Sequence, residues 1–154
     1  MDACRGRASE DLPTLIGYLV QAAASQHRSI LPRVLRSARA WVMANPDHEV
    51  TGRTYASILS ATQSRLDIAR AKQWYEHHKT NETAWFVIAD MLDLSYWHST
   101  KPDVYAVEQA KLLLADESFR RQKPRLVGAL VSARVENESV SWGRRMNVVV
   151  FFGS

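Results

Sequence analysis

The feature that most constrains the fold of this chain is the apolar run Trp85–Leu94, which only Asp90 and Asp93 interrupt. Polar capping residues precede the run, and its composition predicts a helix from Glu82 to about Tyr96. A helix that is apolar on almost every side usually lies at the centre of a hydrophobic core. We therefore expect the remainder of the chain to supply helices that pack around this run.

Amphipathic patterns on both sides of the run predict those helices. Apolar residues recur at helical spacing in three segments before the run and in one segment after it. Prolines and capping residues mark where these segments begin or end. The predicted helices run from Glu10 to Gln26, from Ser29 to Asn45, from Arg53 to Lys79 and from Pro102 to about Ala115. The third of them is either continuous or a helical hairpin with a break near residues 63–65.

The character of the sequence changes after Pro124, which prevents a preceding helix from continuing. Leu126–Val131 and Val148–Phe152 are rich in β-branched and aromatic residues, and residues 140–152 follow a two-residue period. These patterns predict a C-terminal β-hairpin. The predicted fold class is therefore α+β, with four to five packed helices and a C-terminal β-hairpin in a single domain.

Within a single domain of residues 1–154, the sequence predicts three parts. Residues 1–8 form a terminal arm, residues 9–116 a helical core, and residues 120–154 a basic segment with the β-hairpin. One hydrophobic core is the usual number for a chain of this length.

Two stretches of the chain resemble parts of known families. Thr54–Ala61 with Leu66–Ala69 resembles one pentatricopeptide-type helical hairpin, although the link is shorter than in that repeat and no second copy follows. Val140–Arg144, followed by Val148–Gly153, is similar to the BH1 segment of Bcl-2 proteins, which would make residues 140–152 helical rather than extended. These likenesses assign the chain to no family.

Charge is distributed unevenly along a chain whose net charge is +4. Residues 28–79 carry nine basic and four acidic groups (+5), residues 80–119 carry two and seven (−5), and residues 120–154 carry seven and two (+5). An acidic segment is thus bracketed by two basic ones. Such a pattern can hold a nucleic acid on one side, join subunits through unlike surfaces, or match charges within the chain.

The candidates for contact with a polyanion are the basic side chains of those two basic segments. Arginine forks bind phosphate in a bidentate manner, and Trp41 and Trp142 lie close enough in sequence to stack on bases. The alternative for each group is that its side chains only face solvent on the surface of a helix or strand. The candidate residues are Arg33, Arg36, Arg39, Arg120, Arg121, Lys123, Arg125, Arg134, Arg144 and Arg145.

No established catalytic or metal-binding pattern is found in the sequence. The histidines are not spaced four residues apart, and the glycines form neither a phosphate loop nor a dinucleotide fingerprint. Asp90 and Asp93 could serve in acid–base chemistry or hold magnesium, or they could pair with arginines of the basic segments. We expect no metal site, no cofactor and no catalytic residues.

The sequence also indicates where the protein resides. Its single cysteine, Cys4, excludes an intrachain disulfide and favours a reducing compartment such as the cytoplasm. No apolar run approaches the roughly 20 residues that a membrane-spanning helix needs, so no membrane partner is expected.

These observations favour a non-enzymatic binding or assembly protein whose basic surfaces contact RNA or another polyanion. The alternative is a helical protein–protein adaptor or a structural subunit of a larger complex, without nucleic-acid contact. A protein partner or self-association is expected alongside either function. A small hydrolase or nuclease that uses Asp90 and Asp93 is a third hypothesis.

Overall fold

The computed structural model describes the backbone of residues 3–97 and 101–133 and the side chains of residues 14–94 and 101–133. Within those ranges the protein consists of eight helices and contains no strand. The helices are α1 (Ala3–Gln26), α2 (Leu31–Ala44), α3 (Thr51–Thr62), α4 (Arg65–His77), α5 (Ala84–Trp97), α6 (Val104–Ala115), α7 (Glu117–Gln122) and α8 (Pro124–Ser132). The chain divides into two compact units, residues 1–90 and 91–154, and the division falls within α5. The predicted single domain stays a prediction.

The first unit is built on mutual contacts of its helices. Helices α1, α2 and α3 pack against one another in pairs, and α4 packs against α3. Each helix contributes apolar side chains from one face, and their packing removes apolar surface from water. The fully or almost fully buried ones on these four helices are Val20, Ala23, Ala38, Val42, Ile58, Leu59, Ala71 and Tyr75.

Helix α5 is the helix that the apolar run predicted. Val87, Ile88, Ala89 and Leu92 are completely buried and Met91 is almost so, which confirms the predicted burial of this segment. The turn before the helix is held by the side-chain oxygen of Asn81, which accepts a hydrogen bond from the backbone N–H of Thr83 at 2.9 Å.

The region between residues 53 and 79 forms a helical hairpin rather than one long helix. Helix α3 ends at Thr62. Gln63, which follows it, has a φ of 54° in the left-handed region, and its N–H donates to the carbonyl of Leu59. Ser64 is extended, and its carbonyl accepts the first bond of α4 from Ile68. The predicted break near residues 63–65 is therefore confirmed as the correct alternative.

The predicted α+β fold is wrong, because the proposed first strand of the hairpin is helix α8. Its buried residues are Leu126, Ala129 and Leu130, with Ala133 just beyond the helix, so the apolar face has the spacing of a helix. Pro124 stands in the first turn, where its missing N–H is no loss. The second proposed strand, residues 140–152, lies outside the described residues.

The second unit contains α6, α7 and α8, each of which contacts the other two. Asp103 caps α6 by accepting a hydrogen bond from the N–H of Ala106 at 3.1 Å, and Asp116 caps α7 by accepting from Phe119 at 2.8 Å. The predicted start of α6 at Pro102 is thus two residues early. At the other end of the chain, α1 begins at Ala3 rather than near Glu10.

Alkaline pH is expected to destabilise the first unit through Tyr75. Burial, and to a smaller extent the charge of Glu76, raise the pKa of Tyr75 from 10.0 to about 12. Since the folded pKa is the higher one, the contribution of Tyr75 to stability is complete below pH 10 and is lost as the pH rises towards 12. Tyr75→Phe should therefore resist alkaline unfolding better than wild type, as followed by circular dichroism and tyrosinate absorbance. Identical alkaline transitions in the two proteins would contradict this assignment.

Candidate functional site

Arg39, one of the predicted polyanion contacts, is bound to an internal carboxylate. Its Nε donates to Asp67 Oδ1 at 2.9 Å and its Nη2 donates to Oδ2 at 2.6 Å, a bidentate pair that ties α2 to α4. Thr62 Oγ1 donates to the same Oδ2 at 3.0 Å. Asp67 is 3% exposed and the Arg39 side chain 35% exposed. Arg39 is therefore a packing residue rather than part of an open basic surface.

The electrostatics of this pair favour both charged forms. Burial by itself raises the pKa of Asp67, but hydrogen bonds from Arg39 and Thr62 and the charges of Arg39 and Arg70 outweigh it, so the pKa lies below its ordinary value. The hydrogen bond to Asp67 raises the pKa of Arg39. The two side chains thus remain an ion pair across the neutral range.

Arg33 and Arg36, the other two arginines of the predicted stripe, are exposed, as is Arg28 in the turn before α2. None of these three forms an ion pair with any residue that the structure describes. We name them the α2 arginine surface. The first turn of α2 carries no acidic residue and no side-chain cap, so the positive end of the helix dipole reinforces their charge.

A simple sequence signal marks this surface. Residues 12–46 contain neither aspartate nor glutamate, and the only charged residues among them are Arg28, Arg33, Arg36 and Arg39. The net charge of residues 28–79 hides this absence of acidic residues, because that range includes the acidic groups that follow residue 46. With Arg39 neutralised by Asp67, the other three arginines carry the net positive charge of residues 12–46.

The second predicted group of basic residues does not form a comparable open surface. Arg121 pairs with Glu117 one turn earlier on α7, and Arg125 Nη2 lies 3.5 Å from Asp93 Oδ2. Lys123 Nζ lies 6.0 Å from the centre of the Phe119 ring. The remaining member of the described group, Arg120, is partly buried, and its Nε has no hydrogen-bond partner among the described residues. The last three predicted contacts, Arg134, Arg144 and Arg145, lie outside the described residues.

The two aspartates of α5 lie in different surroundings. Asp90 is buried, with 6% of its surface exposed. Asp93 pairs with Arg125, as the charge-matching alternative predicted. Within the described part of the chain, no group of three or more His, Cys, Asp or Glu side chains could hold a metal ion.

An aromatic cluster that the sequence did not reveal lies beside the turn between α2 and α3. The rings of Trp74 and His78 stack at 5.1 Å, and His78 Nε2 lies 3.2 Å from Asp47 Oδ1. Trp41 meets His48 edge to face at 5.3 Å. Asn45-Pro46-Asp47 had indicated only a helix end, since nothing local reveals which distant rings pack on a turn.

The backbone of the same turn accepts hydrogen bonds from side chains later in the chain. Its carbonyl oxygens are therefore paired although they lie outside helices. The donors are Thr51 Oγ1 to Asn45, Trp74 Nε1 to Pro46, Asn81 Nδ2 to His48 and Thr83 Oγ1 to Glu49. These contacts fix the turn, so we assign the cluster a structural role.

Comparisons with the models of known protein families, with curated proteins and with solved structures found no match for this chain. Within the described residues, none of the helices combines the length and the apolar character that crossing a bilayer requires.

Proposed function

We propose that this chain is a non-enzymatic binding protein that contacts a polyanion, with single-stranded RNA as the ligand to test, through the α2 arginine surface. One observation carries the proposal: Arg28, Arg33 and Arg36 are exposed and unpaired within the described residues, in a stretch of sequence without acidic residues. Of the other exposed arginines in the described chain, Arg121 and Arg125 form ion pairs and Arg53 lies over the ring of Phe86. Arg65 is exposed without an ion pair to a described residue, but it stands alone.

The chemistry of the surface suits phosphate oxygens. Arg33 and Arg36 are separated by about 4.5 Å along the helix axis, so they can contact neighbouring phosphate groups of one strand. Each contact releases condensed counterions, which makes the affinity fall steeply with salt. Because the surface consists of arginines and not of groups that read base edges, we expect weak sequence preference.

The adaptor alternative receives less support from the ion pairs. In that alternative, basic and acidic segments of different subunits meet. One ion pair between a basic segment and the acidic segment is instead formed within one chain, that of Arg125 with Asp93. The adaptor function stays a prediction, and the proposal above is the one that the exposed charges favour.

Replacing Arg33 and Arg36 together by glutamate is expected to abolish measurable RNA binding. The double variant converts two cations into two anions at the centre of the surface, and like charges repel the phosphates. Binding of a labelled single-stranded RNA of mixed sequence is measured by fluorescence anisotropy over a series of salt concentrations. Arg33→Met/Arg36→Met should retain weaker binding, with a salt slope reduced by about 1.4 on the logarithmic scale.

The matched control is Arg65→Glu/Lys101→Glu, which changes the net charge equally at two other exposed positions, one on α4 and one just before α6. It should weaken binding much less than the α2 double variant does. An equal loss of RNA binding in both double variants would show that net charge alone causes the effect. The α2 arginine surface would then not be the binding site. Absence of wild-type binding at low salt would overturn the proposed function.

A further inference from the structure

Helix α1 presents apolar side chains on its outer face as well as on its packed face. Gly17, Val20 and Ala23 are buried in the first unit. Leu15, Tyr18 and Leu19 are 50%, 57% and 54% exposed. Ala22, exposed one turn further along, continues the same row, because positions three and four apart share a helix face. We name Leu15, Tyr18, Leu19 and Ala22 the α1 outer stripe.

The stretch of sequence that contains the stripe carries no charge. From residue 12 to residue 26 the sequence contains no Asp, Glu, Lys or Arg. A helix that is apolar on two sides is usually buried on both. A single exposed leucine needs no explanation, but a contiguous row of exposed apolar side chains does. The row therefore indicates a surface that another apolar surface covers.

We propose that the α1 outer stripe is covered by the same stripe of a second copy of this chain, which makes the protein a homodimer. Charge is the first argument. The chain carries a net charge of +4, so two copies repel one another on average. An uncharged face can meet its own copy without that repulsion, and it offers no countercharge to attract a charged partner.

The order of side chains in the stripe is the second argument. A large residue, Leu15, stands at one end, Tyr18 and Leu19 in the middle, and the small Ala22 at the other end. In an antiparallel pairing about a twofold axis between residues 18 and 19, Leu15 of each copy lies opposite Ala22 of the other. The two central residues then meet across the axis. The row is thus complementary to itself in size, as an isologous contact requires.

The dimer is tested by sedimentation velocity of the full chain from about 1 to about 200 μM. We expect a concentration-dependent shift towards twice the chain mass of 17.5 kDa, which higher salt does not weaken because the contact is apolar. Leu19→Glu should raise the dimer dissociation constant at least about tenfold, because it places two carboxylates close to the axis. Leu66→Glu on α4, whose wild-type side chain is 58% exposed, serves as the matched control and should dimerise as wild type does.

A mixing experiment tests the pairing directly. Leu19→Glu and Leu19→Lys should each be monomeric, whereas an equimolar mixture should form heterodimers, since a carboxylate of one copy would then approach an ammonium group of the other near the axis. Circular dichroism checks that both variants retain their helices. A wild-type monomer at the highest concentration would overturn the proposal, as would a dimer that Leu19→Glu leaves intact. Loss of RNA binding in the α2 variants, with dimerisation retained, separates this inference from the proposed function.

Discussion

Replacing Arg39 by methionine is expected to lower the free energy of unfolding by about 3 kcal/mol, since a buried carboxylate left without its cation is strongly destabilising. Asp67 would keep only the hydrogen bond from Thr62, at a position 3% exposed. The deficit relative to wild type should shrink as the pH falls, because protonation of Asp67 relieves the unpaired charge. Urea denaturation at several pH values measures both effects.

Arg36→Met is the matched control for this result, because it removes the same side chain from an exposed position of α2 and should change stability by less than about 0.5 kcal/mol. In Arg39→Met/Asp67→Leu the whole pair is replaced by apolar groups. This double variant should recover most of the lost stability. If the two substitutions were instead additive, the pair would not be coupled as the bidentate geometry requires.

Replacing Gly52 by alanine is expected to cost about 3 kcal/mol or more, because overpacking against backbone cannot be relieved by a side-chain rotation. A Cβ atom at Gly52 would overlap the carbonyl oxygen and carbon of Thr83. The turn at residues 81–83 would have to move away from α3, and its bonds to the carbonyls of His48 and Glu49 would be strained. Thermal unfolding of the variant measures the loss.

Two other helical glycines provide the controls. A Cβ atom at Gly128 would meet nothing within 4 Å, so Gly128→Ala should stabilise α8 by about 0.5–1 kcal/mol through helix propensity alone. A Cβ atom at Gly17 would lie 3.3 Å from the hydroxyl oxygen of Ser57, which can rotate away, and the effect should stay within about 1 kcal/mol. Equal losses at Gly52 and Gly128 would show that the close approach to Thr83 is not the cause.

The sequence was sufficient to predict those helices for which the residue composition and the spacing of apolar residues both indicate a helix. A helix over residues 85–94 is apolar on almost every side, which is typical of a buried helix. Helix α5 was therefore predictable. The hairpin at Gln63 was predictable only as one of two alternatives, because no proline or glycine marks the break. At residues 126–131 the β-branched residues outweighed a helical spacing of Leu126, Ala129 and Leu130 that was already present in the sequence.

The candidate site was predictable in part for a geometric reason. Arg33, Arg36 and Arg39 recur every three residues, but each such step turns the side chain by about 60° backwards around the helix. Arg39 thus lies about 120° from Arg33, on the side where Asp67 binds it. That partner comes from a different helix and 28 residues later, so spacing within α2 could not reveal the pair.

The turn between α2 and α3 also determines the order in which the first unit can be completed. Three of the hydrogen bonds that its carbonyls accept come from Trp74, Asn81 and Thr83, which follow their acceptors by 28 to 34 residues. The turn therefore cannot be locked before α3, α4 and the start of α5 have reached it. Long-range closure of this kind joins local helices into one cooperative folding unit. We therefore expect the end of α2 that leads into this turn to acquire its final geometry only together with the later helices that support it.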